Sequence, residues 1–290
     1  MPRSLPGAIR GGLSLLLFLL NTVVWILPLL LAHLLKSILP HSGWRGFWGR
    51  LQHGIATLWT SLNNWTLGVM NPVRWDVLGL EGLVRNDWCL VVANHQSWVD
   101  ILVLQKILNR RVPFMKFLLK RELFWVPLLG LAWWSLDYPF LERSSTPAKD
   151  LETILKASEN FKVTPVSIMV FAEGTRFTQE KRERQGSRFR HVLKPKVGGL
   201  TALFLGMGTR IGSIVDVAIA YPGGAPTFWE FLCGRADEVR VRVEVIPMDP
   251  ELVGDFAADK EYRRRITGWL SELWTRKDQR MAMLLGPADG

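Results

Sequence analysis

The sequence predicts an α/β fold, a mostly parallel sheet flanked by helices, with a membrane-anchoring helical segment at its N-terminus. Three observations predict it. Two short apolar runs, residues 88–93 and 166–171, each lead directly into a polar cluster, as buried strands do at their carboxyl ends in open α/β sheets. Helical spacing over residues 100–108 and 149–161 separates them, giving the strand, turn, helix alternation of an α/β unit. Ahead of all this, residues 13–35 carry no formal charge when His33 is neutral.

Taken in order, residues 13–35 are long enough to cross the roughly 30 Å hydrocarbon core at about 1.5 Å per residue. A signal peptide is the rival reading, because Arg3 and Arg10 precede the run. Such segments have apolar cores of about 7 to 15 residues and end at small residues, whereas this run ends at Leu34, Leu35 and Lys36. Asn21 and Pro28 interrupt it, so a broken hairpin in one leaflet or a helix in the interface is also compatible with the sequence. Residues 53–72 contain Leu58, Trp59, Leu62, Trp65, Leu67 and Val69, a second helix that suits either the bilayer surface or the interior of the main domain. The division expected is an anchor over residues 1–72 and a main domain over 73–290. Within that domain residues 214–220 read as a strand closed by Tyr221, Pro222, Gly223 and Gly224. Residues 239–246 alternate like a strand near an edge, and 262–285 read as a terminal helix.

The 290 residues carry 36 Lys and Arg against 26 Asp and Glu, a formal charge of +10, which favours anionic partners. With 48% hydrophobic residues and 14 Trp, the chain is more apolar and indole-rich than a nucleic-acid binder needs, which points to membrane lipid and away from nucleic acid. Two cysteines, Cys89 and Cys233, provide neither a disulfide framework nor a metal pair. The phosphate-binding loop, the zinc-protease helix and the serine nucleophile elbow are all absent, so those enzyme classes lose support.

The first polar cluster, Asn94 to Asp100, holds His95 five positions before Asp100. On a continuous helix the pair would sit about 140° apart, so a turn between them is required. Ser97 as N-cap would place Asp100 at the third helical position, leaning back toward His95. The carboxylate would fix the imidazole tautomer, leaving the other nitrogen to take a proton from a substrate hydroxyl. A plain capping box, Ser97 with Asp100, is the competing reading. The second cluster, Glu173, Gly174, Thr175 and Arg176, follows the second strand. Gly174 allows a close turn, Thr175 offers a hydroxyl donor and Arg176 a fork that matches phosphate. A surface turn with Arg176 paired to Glu173 uses the same residues. From Arg176 to Lys196 eight basic residues face only Glu180 and Glu183, a run suited to anionic lipid.

With both clusters in view, the chain resembles the lysophosphatidate acyltransferase family over roughly residues 78–246. NHQSWVD supplies the family's histidine, four residues, aspartate motif. MKFLLKRELFWVPLLG with FLER resembles its second block, FAEGTRFT its third, and KPKVGGL the block that follows. The resemblance implies that His95 and Asp100 are catalytic, and that Arg143, Glu173, Gly174 and Arg176 hold the acceptor phosphate. It implies that Pro195 and Gly198 shape a substrate pocket. It further implies acyl transfer from acyl-CoA or acyl carrier protein to lysophosphatidate, with no metal and no other cofactor, at the cytoplasmic face of a bacterial inner membrane. Ala172 stands where the family commonly has proline. FAEGTRFTQEK and IVDVAIAYPGG are closer to the lysocardiolipin-type and bacterial inner-membrane branch, so lysocardiolipin or lysophosphatidylglycerol is the alternative acceptor. A noncatalytic binder of anionic membranes is the rival from another class.

Overall fold

The computed structural model describes residues 5–142 and 147–286. The chain opens with α1 (Gly7–Ile38) and α2 (Ser42–Met70), then β1 (Arg74–Leu78), β2 (Trp88–Ala93), α3 (Val99–Leu108), β3 (Met115–Phe117), β4 (Leu119–Lys120), α4 (Leu129–Ser135) and β5 (Phe140–Leu141). It continues through α5 (Pro147–Phe161), β6 (Ser167–Phe171), α6 (Gln179–Arg184), α7 (Gly198–Met207), β7 (Ile211–Ala220), α8 (Phe228–Leu232), β8 (Glu238–Pro247) and α9 (Lys260–Leu285). The main sheet runs β1-β8-β7-β2-β6-β3, and every neighbouring pair is parallel except β7 with β8. The expected α/β fold with a mostly parallel sheet is therefore present. β8, expected near an edge, lies one strand inside it, covered by β1.

β2 is central and buried on both faces. Cys89, Val91 and Ala93 point into one core with α1, α2, α3 and α8, while Leu90 and Val92 point into the other with α5, α7 and α9. That two-sided burial is why the strand reads as a continuous apolar run rather than an alternation.

α1 is one unbroken helix through Pro28, not a broken hairpin, and it packs antiparallel to α2. Asn21 Nδ2 donates to the Trp59 carbonyl at 3.0 Å and to Asn63 Oδ1 at 2.8 Å, and Gln52 Nε2 donates to the Ser135 carbonyl at 2.9 Å. Both ends of α1 touch the main domain. Near its start Gly11 lies so close to α8 that a Cβ there would be 2.7 Å from Cys233 Sγ. Near its end Lys36 pairs with Asp137, and His33 Nδ1 lies 2.8 Å from the Ser135 carbonyl. Leu29 of α1 and Ala56, Trp59 and Leu67 of α2 share one core with β2. α1 is long and apolar enough to cross a membrane by length and composition, yet it lies along the domain. Its outer face exposes Leu13, Leu16, Leu20, Val24, Leu27, Leu31 and Leu34, a three-and-four spacing that marks one helix face.

Candidate active site

Parallel neighbours β2 and β6 end side by side, so the residues after each strand meet. Beyond β2, Asn94 clamps β7 through a reciprocal amide pair: its Nδ2 donates to the Ile219 carbonyl at 2.9 Å and its Oδ1 accepts from the Ile219 N–H at 2.8 Å. The next residue, His95, stacks its ring on Phe171 at 3.9 Å between centroids, and its Nδ1 sits 2.8 Å from Asp100 Oδ2. The helix starts one residue later than expected. Trp98, not Ser97, is the N-cap, which makes Asp100 the second helical residue. Ser97 instead donates its hydroxyl to the Pro226 carbonyl and accepts from the Val99 N–H at 3.1 Å.

Asp100 is fully buried and saturated. Oδ2 accepts from the backbone N–H of Gln96 at 2.6 Å and of Ser97 at 2.9 Å as well as facing His95, while Oδ1 accepts from the Tyr221 hydroxyl at 2.6 Å. Four donors around one carboxylate fix its orientation. Burial, the charge of Asp100 and the hydrogen bond to it all raise the Tyr221 pKa, so the phenol stays a donor. With Nδ1 committed to Asp100, Nε2 of His95 makes no hydrogen bond among the described residues and is the nitrogen available to a substrate.

Glu173 differs from its expected role. Instead of facing an acceptor, it is fully buried, with Oε1 accepting from the His95 N–H and Oε2 from the Leu193 N–H, both at 3.1 Å. It ties together the ends of β2 and β6 and the segment leading to α7. Burial pushes its carboxyl up to about 8, opposed by these two amides and by Lys277. Gly174 adopts φ +69°, the left-handed region that glycine takes without strain, with the Lys196 side chain packed over it. Thr175 Oγ1 accepts from Lys181 Nζ at 2.9 Å. Arg176 is exposed and lies over the Trp98 ring, 5.5 Å from its centroid, on the rim beside His95. Pro195 precedes Lys196, whose N–H donates to the Ala172 carbonyl at 2.7 Å, and Gly198 begins α7 facing open space. Arg143 lies outside the described residues.

Sequence reasoning missed Tyr221 and the support beneath the site. Lys277 of α9 is fully buried, donates to the carbonyls of Val92 at 3.2 Å and Val217 at 2.7 Å, and pairs with the buried Asp216, which Arg280 also engages. An ammonium here fastens β2 to β7 just below His95. Among the described residues no group of three or more His, Cys, Asp or Glu could hold a metal ion.

The family model for acyltransferases matches residues 74–219, half of the chain, from the start of β1 to the penultimate residue of β7. The chain belongs to the acyltransferase family. Similar proteins include 1-acyl-sn-glycerol-3-phosphate acyltransferase 3 of Arabidopsis thaliana, 28% identical over 257 residues that cover 82% of this chain and 65% of that protein. The epsilon form of the same activity from Mus musculus is 25% identical over 66% of this chain and 56% of that protein. This acyltransferase-family chain thus spans between about half and two thirds of the length of these relatives. The crystal structure of the 1-acyl-sn-glycerophosphate (LPA) acyltransferase PlsC from Thermotoga maritima superposes with a TM-score of 0.53 at 19% identity. The superposition covers 93% of this chain and 98% of that one, a likeness of fold.

Proposed function

We propose that this acyltransferase moves a fatty acyl group from a thioester to the free hydroxyl of lysophosphatidate, giving phosphatidic acid. The observation that carries the reading is the His95–Asp100 pair, 2.8 Å apart, with Asp100 held by three further donors and Nε2 left open. Nε2 takes the acceptor hydroxyl's proton as the oxygen attacks the thioester carbonyl, and Asp100 stabilises the imidazolium that forms. The tetrahedral intermediate then collapses, the C–S bond breaks, and the departing thiolate takes the proton back from His95. One ester and one thiol result, and the enzyme is unchanged. The hydroxyl comes from the substrate, so no residue of the chain is acylated.

Acceptor identity rests on the names of the relatives and on the rim chemistry. Arg176 offers a planar fork beside His95, and Lys181 and Lys196 pack around the Gly174 turn, a cationic setting for a phosphomonoester. In this reading Glu173 positions the His95 backbone and does not touch substrate.

The donor is acyl-CoA or acyl carrier protein. The protein works at a membrane surface, with α1 lying in the interface instead of spanning it, because both ends of α1 are held by the same domain. Trp98, Trp125, Trp134 and Trp229 are exposed, with Trp125 at 79%, as residues of an interfacial aromatic belt are. A cytoplasmic-facing seat on a bacterial inner membrane accords with a thioester donor.

The test is thiol release from acyl-CoA by detergent-purified protein, with lysophosphatidate or a panel including lysocardiolipin and lysophosphatidylglycerol, for the native chain and His95→Ala. Release that requires lysophosphatidate and falls by about a hundredfold or more in the variant supports the reading. Equal release in both proteins overturns the base assignment, and release only with another lysolipid reassigns the acceptor.

A further inference from the structure

At the end of the sheet opposite His95 there is a groove of about 750 Å³ between α2 and the domain. Its residues precede the strands whose far ends build the candidate active site: Arg85 and Asn86 come before β2, Met115 opens β3, and Thr164 and Pro165 come before β6. Neither His95, Asp100, Glu173 nor Arg176 lines it. Its size falls within the range of about 300–1,000 Å³ of small-molecule sites.

The walls are apolar, formed by Leu51, Ile55 and Leu58 of α2 facing Leu108, Val112 and Phe114. Three guanidinium groups, Arg50, Arg85 and Arg110, line the same groove, and no carboxylate does. Elsewhere in the chain Arg121, Arg240, Arg242 and Arg280 are paired with carboxylates. Arg50, Arg85 and Arg110 form no ion pair among the described residues, and all three are exposed. Arg110 sits at φ +67°, an uncommon setting for a residue with a side chain, and its Nε donates to Ser61 Oγ at 3.0 Å, which leaves its terminal nitrogens uncommitted. His53 adds no charge: burial first, then Lys116 and Lys36, lower its pKa well below the usual imidazole range.

Three unneutralised arginines beside an apolar wall fit an amphiphile that carries negative charge. The groove also opens onto exposed apolar surface, because Leu51 and Leu58 belong to an apolar stripe on α2 with Phe47, Leu62, Trp65 and Val69. A free anion would use the arginines and leave the wall wet, whereas a lipid uses both. We propose that this groove is a second lipid site, distinct from the active site, that seats an anionic phospholipid with its phosphate among Arg50, Arg85 and Arg110. One acyl chain lies along the α2 wall. The proposal does not depend on which lysolipid is acylated at His95.

The experiment uses the full-length protein in dodecyl maltoside with a diazirine-bearing phosphatidate, and crosslinks are mapped by peptide mass spectrometry. Labels are expected within residues 51–58 and 108–115, competed by unlabelled phosphatidate and by neither phosphatidylcholine nor inorganic phosphate at the same concentration. Arg85→Gln, in an exposed loop, should weaken apparent affinity by about fivefold, and the triple variant with Arg50→Gln and Arg110→Gln by on the order of a hundredfold. Far-UV circular dichroism and the thermal melt should be unchanged in both variants, which reports that they are folded. Unchanged labelling of the groove in Arg85→Gln overturns the arginine assignment. Equal competition by phosphatidylcholine overturns the requirement for negative charge, and equal competition by inorganic phosphate reduces the site to a free-anion site.

Discussion

Asp100 accepts at both oxygens, and the Tyr221 hydroxyl is the sole partner of Oδ1 among the described residues. Tyr221→Phe leaves that buried oxygen unpaired at a cost of about 1–3 kcal/mol. The variant should therefore melt earlier, and its acyl transfer should fall by about tenfold with little change in lysolipid KM, since Tyr221 acts through Asp100. Glu173 gives a pH signature. Its carboxyl, ordinarily near 4.5, is raised to about 8 by burial. A raised folded pKa stabilises fully below the unfolded value and is lost as pH climbs through 8, by on the order of a few kcal/mol. Glu173→Gln is neutral throughout, so the stability of the native chain relative to this variant should decline between pH 5 and 8.5 in thermal melts, and a flat difference would contradict the raised carboxyl. His95 and Asp100 were legible because both sit within seven residues after a strand. Tyr221 is 121 positions from Asp100, and no local spacing signals a bond closed by the sheet. Glu173 was legible as a position but not as a tie: its carboxylate finds two amides that lie 78 and 20 positions away.

At the scale of elements, strands buried on both faces announced themselves as apolar runs, and β8 as an alternation matching its alternating burial. The pieces that escaped are short or unpatterned. β3, β4 and β5 have three residues or fewer, and α7 begins with two glycines and is apolar almost all round, which removes the periodicity that marks an amphipathic helix. β1 was hidden because its middle is only half-buried beside β8. Its exit is demanding: Gly79 has φ +85°, and a Cβ there would stand 1.9 Å from the Val243 carbonyl oxygen. Gly79→Ala must therefore pull β1 from β8, and we expect a loss of more than about 3 kcal/mol, visible in a thermal melt or as loss of soluble protein. Gly82→Ala, also at positive φ but in open space, isolates the backbone contribution and should cost about 1 kcal/mol.

Across the whole molecule, the hairpin of α1 and α2 decides how the protein meets a bilayer. Length and charge alone favoured a spanning helix at residues 13–35, since neither reports that Gly11 and Lys36 are both held by one domain. Ala8 and Ser37 are exposed in the first and last turns of α1. Cysteines placed at these two positions in sealed vesicles should react together, or be shielded together, toward an impermeant thiol reagent; opposite behaviour would restore the spanning arrangement. The native Cys89 and Cys233 are buried and stay silent in this assay. The hairpin of α1 and α2 leaves the ribosome before the sheet, and α9 after every strand of it. Until α9 arrives, Asp216 lacks both Lys277 and Arg280, and a buried carboxylate without a partner costs about 3–5 kcal/mol. The nascent chain can therefore reach the membrane well before β2 and β7 are fastened together beneath His95. Translation order itself acts as a delay line: the protein is delivered first, and its chemistry is switched on only when the late helix docks.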